Sequence, residues 1–209
     1  MAYLVLVRHG TSEWNKLGKW TGLSDVDLAP EGIEDARRAG ELIRDIEIHE
    51  AHVSLLKRAR QTFDEIRAKL GKHNLEPRAE AALNERDYGV HTGKNKWEVK
   101  ESVGEKEFHN IRRGWDAVII GGENLKDVYA RVVPYYEEHI LPQLLSGHNV
   151  LVVAHGNSLR ALVKHLEHIA DDKIAELEIG FGEVYCYDID THGKIIEKTV
   201  RAVNSRPIP

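Results

Sequence analysis

Tyr3-Leu4-Val5-Leu6-Val7-Arg8-His9-Gly10 is an apolar run that ends abruptly on a cation, an imidazole and a glycine. Such a run, partly β-branched and without a polar face, predicts a strand buried on both sides, the mark of a parallel sheet covered by helices. The pattern returns far along the chain as Leu151-Val152-Val153-Ala154-His155-Gly156. Ligands of α/β sheets sit beyond the carboxyl ends of the strands, so both His-Gly pairs are expected on one rim.

Outward from these two strands, helical and strand signals alternate. Residues 10–27 read as a polar loop with one helical turn. Pro30 opens a helix with Ile33, Ala36, Ala39, Ile43 and Ile46 at helical spacing. A strand over 51–56 precedes a helix over 58–70, which Gly71 ends. The interval 80–104 mixes helical and turn signals. A long helix is predicted over 123–145, kinked at Pro134 and Pro142. A helix over 158–168 follows the second His-Gly strand, and 183–190 with 193–203 reads as a closing hairpin. The expectation is one domain over 1–209, a three-layer α/β/α fold with a mostly parallel central sheet.

The 29 Lys and Arg against 34 Asp and Glu give a formal charge of −5, which does not suit a nucleic-acid partner. No apolar stretch reaches membrane-spanning length, and no signal peptide is expected. Cys186 is the single cysteine, so no disulfide framework is expected and a cytoplasmic enzyme is the natural reading. Cys186 itself reads as a buried strand residue.

A histidine leaving a buried strand beside a glycine suits a nucleophile, because the strand fixes it and the glycine lets a phosphate approach the backbone. Arg8 supplies a planar, permanently charged donor for phosphoryl oxygens. His155 can donate to charge that builds on the same group. Gly156 and Asn157 open a helix, whose first amides favour an anion.

Leu6-Val7-Arg8-His9-Gly10-Thr11-Ser12-Glu13-Trp14-Asn15 resembles the signature of the histidine phosphatase superfamily, and more narrowly of its cofactor-dependent phosphoglycerate mutases. Further matching blocks are Thr21-Gly22, Ser54 to Ala59, Leu83 to Gly89, Asn95-Lys96, Arg112-Arg113-Gly114 and Ala154 to Ala161. The resemblance implies a phosphoglycerate-mutase-like fold and phosphoryl transfer through a phosphohistidine at His9. It implies that Arg8, Arg58 and His155 surround the transferring group and that Glu85 is the general acid/base. Asn15, Ser12, Thr21, Gly22, Arg86, Tyr88, Lys96, Arg112, Arg113, Gly156 and Asn157 match the family's substrate-binding positions. The implied reaction interconverts 3-phosphoglycerate and 2-phosphoglycerate, primed by 2,3-bisphosphoglycerate and without a metal.

A phosphatase of the same superfamily, acting on a small phosphorylated metabolite, shares this core. Lys96 with Arg112 and Arg113 favours the mutase, because a broad phosphatase has less need of carboxylate-directed cations. A non-catalytic sensor would not need His9, His155 and Glu85 together. His49-x-x-His52 and His165-x-x-His168 have spacings a metal could use but lack a third ligand, and the second pair reads as an exposed helix face. Trp14, Trp20, Trp97 and Trp115 read as loop packing around the cleft.

The chain departs from longer mutases in two places. After Arg113 it reaches Gly121-Gly122 within a few residues, which leaves monomer or dimer open. The family's longer tail is expected to be missing or shortened at 204–209, and with it more hydrolysis of the phosphoenzyme is expected.

Overall fold

A computed structural model describes residues 1–202. The tail beyond them, with the end of the predicted closing strand at Val203, lies outside the described residues.

The chain order is β1 (Ala2–Arg8), α1 (Glu13–Lys16), α2 (Pro30–Leu42), β2 (Glu50–Ser54), α3 (Lys57–Lys69), β3 (Arg78–Glu80), α4 (Lys96–Val103) and α5 (Glu105–Arg113). Then come α6 (Leu125–Tyr135), α7 (Leu141–Leu145), β4 (Val150–Ala154), α8 (Gly156–Leu166), β5 (Val184–Ile189) and β6 (Ile195–Ala202). The strands form one six-stranded sheet in the order β3-β2-β4-β1-β5-β6. The first four in that order run parallel, and β5 and β6 are antiparallel additions on one edge.

Strand alternation sends side chains to two cores. Leu4 and Leu6 of β1, with Val150 and Val152 of β4, face Val128 and Val132 of α6 and Leu159 and Leu162 of α8. Val5, Val7, Leu151 and Val153 face the other way, onto Ala39 of α2 and Ala59, Phe63 and Ile66 of α3. Cys186 packs in this second core, and burial pushes its thiol up to about 11. β1 and β4 pair in register from Leu4↔Val150 to Arg8↔Ala154, so His9 and His155 leave the sheet side by side.

Three sequence expectations change. The long helix over 123–145 is three pieces, with a π-helical turn at Tyr136–Ile140 between α6 and α7. Pro134 is accommodated within α6. The ring of Pro142 would collide with a regular α turn before it, and the wider π turn relieves this. β3 was not expected; its Arg-Ala-Glu sequence has no apolar signal because it is an exposed edge strand. His165 is not on an exposed face: its Nδ1 lies 3.2 Å from Tyr129 Oη, and His168 falls beyond α8 at φ 53°.

Gly10 also has a different reason from the expected one. A Cβ there would lie 2.1 Å from the Gly32 carbonyl oxygen, and a Cβ on Gly32 would lie 2.1 Å from that of Thr11. The two glycines let the loop after β1 run directly against the first turn of α2.

Candidate active site

The cleft beyond β1 and β4 is lined by Arg8, His9, Asn15, Lys19, Trp20, Thr21, Gly22, Arg58, Glu85, Tyr88, Lys96, Arg112 and Arg113. His9 is anchored by its amide, which donates to Ala154 O at 2.9 Å. Its Nδ1 lies 2.6 Å from Gly10 O. A carbonyl only accepts, so Nδ1 carries the proton and Nε2 keeps the lone pair. Burial, then Arg58 and Arg8, hold the imidazole well below its usual range, so it is neutral at neutral pH. The ring of His155 is adjacent, with centroids 4.8 Å apart.

Arg8 donates through Nη1 to Ile179 O at 2.5 Å and stacks on Phe181 at 3.8 Å. Arg58 donates to Ser24 O at 2.9 Å and Gly22 O at 2.8 Å, which ties α3 to the loop of Thr21 and Gly22. Burial lowers both guanidinium groups to about 10, which leaves them charged at neutral pH. Gly156 packs beside the Arg8 guanidinium, where a Cβ would stand 3.4 Å from its Cζ, an ordinary contact.

Glu85 is held through one oxygen. Its Oε1 accepts from Arg86 N at 2.7 Å, Asn157 N at 3.2 Å and Asn157 Nδ2 at 3.1 Å. Asn157 Nδ2 also donates to Tyr88 Oη at 2.9 Å. Three donors on one oxygen leave Oε2 as the atom able to exchange a proton.

Asn15 lies in the cleft wall, and its Oδ1 is occupied by Ser12 N at 3.1 Å and Ser12 Oγ at 2.7 Å. Its amide NH2 therefore remains for a ligand, while Ser12 is the buried N-cap of α1 and does not line the cleft. Lys96, Arg112 and Arg113 come from α4 and α5 and close the opposite wall; Arg113 pairs with Glu178. Burial, then Arg112, Arg8 and Arg113, lower Lys96 to about 7.

Arg86 does not join this wall. It is fully buried, its Nη2 donates to Ile111 O at 2.8 Å and Arg112 O at 3.3 Å, and its guanidinium lies 4.5 Å over Tyr88. It holds the end of α5 from beneath, and so places the two arginines that do face the cleft.

Three contributors went unassigned in the sequence. Lys19 lines the cleft beside Trp20. Arg131 donates to Ala82 O at 2.7 Å, Asn84 O at 3.0 Å and Glu85 O at 3.1 Å, and so fixes the Glu85 loop. Arg160 donates to Asn157 Oδ1 at 2.9 Å and Arg113 O at 2.9 Å. Its place three residues after Asn157, on the same helix face, was the available signal.

Other histidines are engaged elsewhere. His52 Nδ1 lies 2.7 Å from Tyr135 Oη and its Nε2 lies 2.9 Å from Gln143 Oε1, while His49 Nδ1 accepts from Asn149 N. Among the described residues no group of three or more His, Cys, Asp or Glu could hold a metal ion, and no helix is long and apolar enough to cross a membrane.

The model of the histidine phosphatase superfamily, branch 1, matches residues 4–201. The chain belongs to this superfamily. Among its relatives, a 2,3-bisphosphoglycerate-dependent phosphoglycerate mutase of Parvibaculum lavamentivorans is 43% identical, over 93% of this chain and 94% of that protein. A protein of the same name from Methylorubrum extorquens is 45% identical over 94% of each. Among solved structures, a mycobacterial glucosyl-3-phosphoglycerate phosphatase superposes with a TM-score of 0.83 at 23% identity, covering 99% of this chain and 100% of that one. Bacillus stearothermophilus YhfR gives 0.82 at 24% identity, over 93% and 94%. At such identities these two structures speak for the fold alone.

Proposed function

We propose that this superfamily member is a phosphoglycerate mutase that interconverts 3-phosphoglycerate and 2-phosphoglycerate and is primed by 2,3-bisphosphoglycerate. One observation carries the reading: His9 and Glu85 share a cleft with Lys96, Arg112 and Arg113. A phosphoglycerate carries a carboxylate besides its phosphate, so a site for it needs cations beyond the reaction centre. The relatives at 43% and 45% identity, named as mutases across nearly their whole length, support the same reaction.

The cleft suits a bisphosphorylated primer by its donor set, since Arg8, Lys19, Arg58, Lys96, Arg112 and Arg113 line it against Glu85, the one carboxylate among its described lining residues. In this reading Nε2 of His9 takes the phosphoryl group, forming a P–N bond as the P–O bond to the sugar acid breaks. Glu85 Oε2 returns a proton to the leaving oxygen, then removes one from the hydroxyl that receives the group back. Arg8 and Arg58 neutralise the oxygens in transit, and His155 donates to them. Asn15 and Thr21 add neutral donors.

A coupled assay for 2-phosphoglycerate, run with a chelator and with or without 2,3-bisphosphoglycerate, tests this. Strong stimulation by the bisphosphate and indifference to the chelator are expected. Release of phosphate as the sole activity would replace the mutase with a phosphatase. Activity retained by His9→Ala would overturn the mechanism.

A further inference from the structure

Arg113 enters the cleft wall with a counter-ion already attached: its Nη2 pairs with Glu178, a residue outside the lining set. An exposed ion pair is worth little and is often incidental. This one is held on both sides. Arg160 donates through Nη2 to Arg113 O at 2.9 Å and through Nε to Leu177 O at 3.0 Å, so one buried guanidinium ties down the backbone at both partners. Tyr185 Oη donates to Glu178 O at 3.4 Å, and Ile179 O accepts from Arg8 Nη1 at 2.5 Å. The main chain is thus fixed at Leu177, Glu178 and Ile179, and the carboxylate reaches Arg113 from a stretch that also holds Arg8.

The pair is also placed where a ligand feels it. The Arg113 side chain is 14% exposed and that of Glu178 43%, so water screens the carboxylate only in part. Its charge favours the cationic forms of Arg8 and Arg112, so its field reaches both the reaction centre and the neighbouring cation of the wall. A guanidinium has five N–H donors, and Glu178 leaves others of Arg113 for a bound oxyanion. Glu178 therefore weakens the pull of the wall on an anion without blocking it.

We infer that Glu178 is a specificity-determining residue that sets, through Arg113, how much more tightly the cleft holds a bisphosphorylated sugar acid than a monophosphorylated one. One negative charge at a fixed place repels each ligand in proportion to that ligand's own charge. At pH 8 inorganic phosphate carries roughly −2, 3-phosphoglycerate roughly −3 and 2,3-bisphosphoglycerate roughly −5. The bisphosphate is thus penalised most. The functional consequence rests on the mutase reading made above: a bisphosphate that escapes leaves His9 without its phosphoryl group. Glu178 thereby raises the primer concentration that the enzyme needs.

Calorimetric titration of the full chain at pH 8, in a His9→Ala background that blocks transfer, reads the affinities directly. Glu178→Gln removes the charge and keeps the shape, an exchange that a half-exposed side chain tolerates. It should tighten phosphate about twofold, 3-phosphoglycerate about threefold and 2,3-bisphosphoglycerate about sixfold, the size expected of one partly screened charge. Glu178→Asp, which keeps the charge, should stay within about twofold of its parent for each ligand. With His9 intact, Glu178→Gln should lower the bisphosphate concentration for half-maximal stimulation about sixfold. Unchanged affinities or an equal change for all three ligands would overturn the inference. Weaker binding would overturn it too, since Glu178 would then serve only to prop Arg113 in place. The titrations need no turnover and stand even if the protein proves to be a phosphatase. That failure would be seen separately, in the coupled assay, as phosphate release without stimulation.

Discussion

Asn157 holds Glu85 twice through one atom, its backbone amide at 3.2 Å and its side-chain amide at 3.1 Å both reaching Oε1. The carboxylate is thereby oriented from β4's side of the cleft while its own backbone is fixed by Arg131.

Two variants should separate chemistry from orientation. Glu85→Gln should lower kcat about 10²–10⁴-fold, the usual worth of a general acid/base. Asn157→Ala leaves the carboxylate but frees it to rotate, so a smaller loss, about tenfold, is expected in kcat from steady-state kinetics. Equal losses in the two would show that orientation, and not proton transfer, limits the rate.

Lys96 predicts a pH dependence of binding. Burial and the neighbouring arginines bring it to about 7 in the free cleft, so above that pH it is largely neutral. A bound carboxylate or phosphate favours the charged form, so binding above pH 7 takes up a proton and KM should climb with pH. Substrate phosphate is already dianionic above its second pKa of about 6, so it adds no slope there. Measured between pH 7.5 and 9, log KM should rise by up to about one unit per pH unit, and Lys96→Arg should flatten the rise. A flat wild-type profile would contradict the assignment.

Arg86→Ala should act through α5. Removing the guanidinium strands the Ile111 and Arg112 carbonyls and leaves a buried gap beside Tyr88. A cost of about 2 kcal/mol is expected, equivalent to a Tm lower by about 4–8 °C for a chain of this size. Because Arg112 and Arg113 ride on that helix end, KM for phosphoglycerate should rise as well. Calorimetry and kinetics on the same preparation would show both or refute the placement.

Gly10→Ala should fail for a steric reason distinct from the chemistry next door. Its Cβ would lie within 2.1 Å of the Gly32 carbonyl oxygen, so β1's exit loop and α2 must part. About 1–3 kcal/mol of stability should be lost to overpacking. A thermal melt matching the wild type would disprove the contact.

The two His-Gly strand ends were legible because β1 and β4 are buried on both faces and so carry unbroken apolar runs. The alternation of helix and strand around them gave the layers. β3 escaped because an exposed edge strand of Arg-Ala-Glu owes its conformation to β2, not to its own side chains. α5 escaped because its apolar face amounts to Phe108 and Ile111. Arginines were the hardest to sort. Arg86, Arg112 and Arg113 look alike in sequence, and only the third dimension separates the one that clasps carbonyls from the two that wall the cleft. Arg131 and Arg160 were missed likewise, since a buried guanidinium serving backbone oxygens leaves no local pattern.

The crowding of Arg8, Lys19, Arg58, Lys96, Arg112 and Arg113 around Glu85, the single carboxylate among the described lining residues, has a consequence for the stability of the protein. An empty cleft of this kind is self-repelling, and any small oxyanion that enters relieves it. Inorganic phosphate or phosphoglycerate at about 100 times its Kd should add about 2.7 kcal/mol to the folded state, or about 5–10 °C in Tm. Resistance of the purified protein to proteolysis should then rise with added phosphate or phosphoglycerate.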